Sequence, residues 1–205
     1  MPLIATEGES KPKQLPPPGT HVARCYSVID LGTQPGTFGP KRKIRITWEL
    51  PDETAVFQED KGPQPFVVSK EYTLSLYEKA NLRHDLESWR GKQFTTDELK
   101  GFDIFTLIDV PCLLTIIHKT KEGGGKTYAN VSSISKLAKG MTVSARINPL
   151  VRYSIDDKSN TVFLSLPEWM RKKIEEAEEW NESAVTEERE RDPFDEDGDG
   201  EPIPF

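Results

Sequence analysis

Lys41, Arg42, Lys43 and Arg45 crowd one short stretch with Phe38 just before it, and Lys119, Lys121 and Lys126 mark a second with Tyr128 just after it. Arg24 and Tyr26 sit two residues apart, the spacing that puts both on one face of a strand. Cations that track phosphates, interleaved with flat rings on which bases stack at roughly 1–3 kcal/mol each, are what a groove for single-stranded nucleic acid requires. A single Lys is as often a solvated surface charge, so the grouping rather than any one residue carries this expectation.

Other chemistries find no site. Gly125-Lys126-Thr127 mimics the end of a phosphate-binding loop, but Thr120 stands where the first glycine is needed and a strand pattern follows. The acids from Asp195 to Asp199 resemble the start of a calcium loop, yet no twelfth-position acid follows and no helical pattern flanks them. His21, His84 and His118 are scattered without metal-ligand spacing, and no nucleophile motif accompanies them. Cys25 and Cys112 form no Cys-x-x-Cys pair and read as small core residues in a reducing compartment. The expectation is a non-catalytic protein with no metal and no cofactor. No stretch is apolar enough to span a bilayer or serve as an export signal, which predicts a cytoplasmic protein with no membrane partner.

The elements that must position these residues are mainly strands. Residues 1–18 read as a flexible arm ending in Pro16-Pro17-Pro18, and strand signals follow over His21–Leu31, Lys43–Leu50 and Phe66–Leu76. In the second, Ile44, Ile46, Trp48 and Leu50 share one face and Lys43, Arg45, Thr47 and Glu49 the other, so Trp48 is expected in the core. Tyr72 shares the phase of Phe66 and Val68; Lys70 shares it too, which predicts a bulge or a shifted register. Ala80, Leu82, Leu86 and Trp89 predict a helix over Tyr77–Trp89 that Gly91 terminates, and Thr95 or Thr96 caps a short second helix. Strand signals resume at Cys112–Lys119 and Thr127–Leu137. The order β-β-β-α-β-β predicts a mainly β fold, a five-stranded OB-type (oligonucleotide-binding) barrel over residues 19–140 with a helix between strands 3 and 4. Residues 141–181 are expected to add a hairpin, Val143–Ile155 with Thr161–Leu166, and a helix from Pro167 that buries Leu166, Met170, Ile174 and Ala177. That hairpin also offers a route to a homodimer.

The net charge of −7 averages two unlike parts. Residues 175–205 hold 14 Asp or Glu against two Arg, a net of −12, which leaves 25 Lys or Arg against 20 acids, or +5, in residues 1–174. A basic body suits a polyanion. Residues 182–205 combine acids, Gly and Pro with few large apolar side chains, which predicts a disordered acidic tail. Its end, Ile203-Pro204-Phe205 preceded by Asp195, Asp197, Asp199 and Glu201, pairs a terminal ring and carboxylate with acids, the form of a linear docking peptide.

This ending, Asp197 to Phe205, resembles the tip of bacterial and phage single-stranded DNA-binding proteins, which finish in several acids and Ile-Pro-Phe or a close variant; Pro202 and the glycines here dilute the acid run. Lys41–Glu49, Tyr72–Leu76 and Leu86–Gly91 are similar to phage-encoded OB-fold proteins of this class. The resemblance implies coating and protection of single-stranded DNA during phage replication and recombination in a bacterial host cell. It also implies recruitment of replication, recombination or repair proteins through Ile203, Pro204, Phe205 and the preceding acids. The alternative is a replisome adaptor of the same fold that binds protein and no DNA.

Overall fold

A computed structural model describes residues 14–120, 125–157 and 160–180. Its elements run β1 (Gly19–Gln34), β2 (Lys41–Ala55), β3 (Gln64–Thr73), α1 (Asn81–Arg90), α2 (Thr96–Lys100), β4 (Pro111–Thr120), β5 (Thr127–Ser135), β6 (Val151–Tyr153), α3 (Asn160–Ser165) and α4 (Glu168–Glu175). The strands form a six-stranded antiparallel sheet in the order β3-β2-β1-β4-β5, with β6 paired to β1. The sheet is not closed. Its end strands β3 and β5 approach within 8 Å between Cα atoms, and α1 packs against both, so a helix bridges the two ends where a closed barrel would have a hydrogen-bonded ladder.

Alternation of apolar and polar residues made the strands legible. Ile44, Ile46, Trp48 and Leu50 are all buried on β2, as are Ala23 and Cys25 on β1 and Cys112, Leu114 and Ile116 on β4. In α1, Leu82, Leu86 and Trp89 recur at helical spacing and are buried. Gly91 ends it in the left-handed region at φ 66°, and its N–H reaches back to the carbonyls of Glu87 and Ser88. The helix begins four residues later than expected, because Tyr77–Ala80 is spent on a turn closed by Ala80 N–H to the Tyr77 carbonyl at 2.8 Å. Thr95 caps α2 in a reciprocal capping box with Glu98.

The hairpin expected over 143–166 does not form. Only Val151–Tyr153 pairs into the sheet, and Thr161–Ser165 belongs to helix α3. The burial explains why: Phe163 and Leu166 are buried three residues apart while Leu164 between them is 60% exposed, a helical rather than an alternating pattern. With the hairpin goes the expected route to a homodimer.

The chain divides into two compact units: residues to Ile29 with Arg45–Arg152, and Asp30–Ile44 with the residues from Tyr153 onward. In the first, Trp48 and Trp89 meet at 5.7 Å between ring centroids. Tyr72 and Lys70 both reach Asp85 Oδ2 at 2.7 Å, so an inward-phase lysine is satisfied by a carboxylate on α1. Burial, then the Asp85 charge, raise the Tyr72 hydroxyl far above its ordinary range. Cys25 and Cys112 are free and buried, and burial pushes the Cys25 thiol up to about 12.

In the second unit, a Cβ on Gly32 would lie 2.5 Å from the Ala177 Cβ, and Gly32 also has φ 68°; both require glycine there. Phe163 packs between Tyr153 and Trp180, with centroids at 6.0 and 4.6 Å. Leu166, Met170, Ile174 and Ala177 are all buried, as the helical stripe predicted. No helix among the described residues is long and apolar enough to cross a membrane.

Candidate nucleic-acid interface

On β4 and β5 of the first unit, the residues out of phase with the buried Cys112, Leu114, Ile116, Val131 and Ile134 form an outward face. At one end of it, β4 and β5 pair so that Lys119 stands directly opposite Tyr128 and Thr120 opposite Thr127. Directly paired residues of an antiparallel ladder project to the same side, with Cβ atoms roughly 5 Å apart. The Tyr128 ring is 49% exposed, and Lys119 and Lys126 are exposed. Ser132 is the extra residue at the register shift opposite Thr115 and Ile116, and a bulge of this kind sharpens strand twist. Next along the same face, the Thr20 and Thr115 hydroxyls pair at 3.1 Å between β1 and β4.

Two other expected contacts on this unit, Arg24 and Arg45, are already engaged. Arg24 donates to the Asp109 carbonyl at 2.8 Å and to its carboxylate at 3.2 Å. Arg45 pairs with Glu71 at 3.1 Å and donates to the Ser69 hydroxyl. Tyr26 is half-buried; burial first, then the nearby Glu49 carboxylate, raise its hydroxyl, with Arg45 opposing them.

In the second unit, Phe38 is 89% exposed at the turn that Gly39 N–H closes on the Gly36 carbonyl. Lys41 is exposed and Lys43 half-buried. Arg42 bridges Asp30 and Asp156 at 2.5 Å each, and those hydrogen bonds raise its already high affinity for a proton. Asp30 is itself buried and also accepts the Gly32 N–H at 3.0 Å, so Arg42 serves a structural carboxylate. Lys121 and the tail residues Asp195, Asp197, Asp199, Glu201, Ile203, Pro204 and Phe205 lie outside the described residues.

One feature went unread in the sequence. Glu49 has the outward phase of β2 yet is completely buried, because residues 144–148 are laid across it as a strap. Both of its oxygens accept: Ile147 N–H at 3.0 Å on one, Asn148 N–H at 2.8 Å and the Asn148 side-chain amide at 2.6 Å on the other. Ser144 adds a hydrogen bond to Asp52 at 2.5 Å, and Arg146 an ion pair with Asp109 at 3.1 Å. Asp109 thus takes Arg24 and Arg146 together while holding φ 68°, a left-handed backbone that non-glycine residues seldom adopt. The local signal was slight: a segment ending Asn148-Pro149 lacks strand alternation, but nothing local names a partner about a hundred residues away.

Among the described residues no group of three or more His, Cys, Asp or Glu is arranged to hold a metal ion. No protein-family model matches the chain, and no curated protein matches it at a significant level.

Proposed function

We propose that the protein binds single-stranded DNA without catalysis, on the outward face of a sheet of OB type, as part of phage DNA replication and recombination in the host cytoplasm. The observation that carries this reading is the exposed Tyr128 ring set directly opposite Lys119, with Lys126 beside the same hairpin: a stacking surface and phosphate-pairing cations on one face. The OB reading is supported by the strand order β3-β2-β1-β4-β5 with β3 and β5 approaching each other, and by α1 bridging those ends. Recruitment of replication, recombination or repair proteins through the tip at Phe205 rests on the sequence resemblance.

The test is fluorescence anisotropy with labelled oligo-dT and its duplex counterpart over a salt series. Strand-selective binding is expected, with log K falling by about 0.7 per phosphate contact against log salt, and with Lys119→Ala lowering that slope by about one contact. Absence of binding to either oligonucleotide rejects the proposal in favour of the adaptor. One observation favours that second reading: at Glu49 the outward face is already occupied by the chain's own strap, as in a sheet whose groove is filled with protein.

A further inference from the structure

The strap is held almost wholly by polar contacts. Its attachments are Ser144 to Asp52, Arg146 to Asp109, and Ile147 and Asn148 to Glu49, so every receptor is an acid, two on β2 and one in the turn before β4. Its apolar side chains are turned the other way: Ile147 is 51% exposed, and its neighbours Met141 and Leu150 are 43% and 44% exposed. A segment anchored in this manner opens by exchanging protein hydrogen bonds for bonds to water, with its exposed apolar side chains already in solvent.

The consequence is electrostatic. With the strap closed, Glu49 is fully shielded and Asp109 is shared by Arg24 and Arg146. With the strap open, the sheet face beside Tyr26 would present the Glu49 carboxylate and leave Asp109 with Arg24 alone. Tyr26 is within electrostatic reach of that position, since the Glu49 carboxylate perturbs its hydroxyl. A polyanion held elsewhere on the outward face would then meet an added repulsive charge.

We infer that residues 144–148 form a charge-screening latch closed on Glu49, and that Glu49 and Asn148 are positioning residues that keep the outward face compatible with a polyanion. The latch is therefore the opposite of an autoinhibitory cover: opening it weakens nucleic-acid binding. This inference rests on the single-strand-binding reading for its functional part but not for the latch itself, and the experiment separates the two.

Trypsin cutting after Arg146 reads the latch without any ligand. The variant Ser144→Ala/Asn148→Gly removes two side-chain tethers and is expected to be cut at least tenfold faster than the parent at unchanged melting of the core; Asn148→Ala alone shifts the rate in the same direction by less. Oligo-dT affinity of the double variant is expected to fall about fivefold, the effect of one surface charge near a phosphate. Adding Glu49→Gln to the double variant restores affinity to within about twofold while the fast cleavage persists, a rescue that a merely structural strap would not produce. Unchanged cleavage in the double variant overturns the latch. Faster cleavage with unchanged or tighter oligonucleotide binding, or no rescue by Glu49→Gln, overturns the screening role. If the parent protein binds no oligonucleotide, the failure belongs to the single-strand-binding reading and takes the screening role with it, while trypsin still decides whether the latch exists.

Discussion

The outward face of the first unit has two ends built on different principles. At the β4–β5 hairpin, Lys119 and Tyr128 stand out from the ladder and the Tyr128 ring is half-exposed. At the Glu49 end, Arg24 is taken by Asp109 and Arg45 by Glu71 and Ser69, Tyr26 is half-buried, and the strap covers Glu49. Strand phase alone treats the two ends alike. The difference teaches that phase tells which side of a sheet a residue faces, whereas availability depends on what else in the chain comes to lie there.

The largest expected effect breaks or upholds that contrast directly. Tyr128→Ala should weaken oligo-dT binding by about 1–3 kcal/mol, the loss of one stacking platform, with little change in melting temperature because the ring is half-exposed. Tyr128→Phe should bind like the parent, since stacking needs the ring and not its hydroxyl. An equal loss in Tyr26→Ala, measured by the same titration, would erase the distinction between the ends.

Next in size is Arg24→Ala. Its partner Asp109 keeps Arg146, so the expected result is a loss of about 1 kcal/mol in denaturant unfolding and less than a threefold change in oligonucleotide affinity. A tenfold loss of affinity without loss of stability would show that Arg24 leaves its carboxylate to meet phosphate.

The smallest effect serves as a control remote from both ends. The Thr95 N–H, then the Arg90 guanidinium, hold the Glu98 carboxyl down at about 2 against an ordinary 4.5. Because the folded value is the lower one, the stability it contributes is fully present above about pH 4.5 and is lost as pH falls toward about 2. The melting difference between the parent and Glu98→Gln should therefore shrink over that window and vanish at its acid end, while oligonucleotide affinity at neutral pH stays the same.

How much of this was legible follows from how local each determinant is. The five long strands, α1 with its glycine stop, and the Thr95 cap rest on periodicity and short-range capping, and a sequence displays both. Trp48, Trp89 and Tyr72 were placed in the core for the same reason, and all three are buried. The segment Thr161–Leu166 misled because its Val, Phe and Leu content suits a strand, yet Phe163 and Leu166 satisfy their burial at helical spacing. The inward phase of Lys70 pointed to a bulge or a shifted register, and its charge is met by Asp85, fifteen residues on, a partner that strand phase does not name. Glu49 and its strap were invisible because the carboxylate and its donors are about a hundred residues apart. The pairing of Arg24 and Arg42 with carboxylates was hidden likewise, since charge composition records how many acids there are and not which arginine they reach.

The packing of Trp48 against Trp89 has a spectroscopic consequence. Both indoles lie inside the first unit, and the other two tryptophans of the chain, Trp169 and Trp180, belong to the second. A ligand settling on the outward sheet of the first unit touches no indole there, so it leaves that unit's blue-shifted emission in place. Denaturant wets the inner pair and moves the emission red. The first unit thus carries its own optical reporter of folding, one that a ligand on that unit's outward face leaves unmoved.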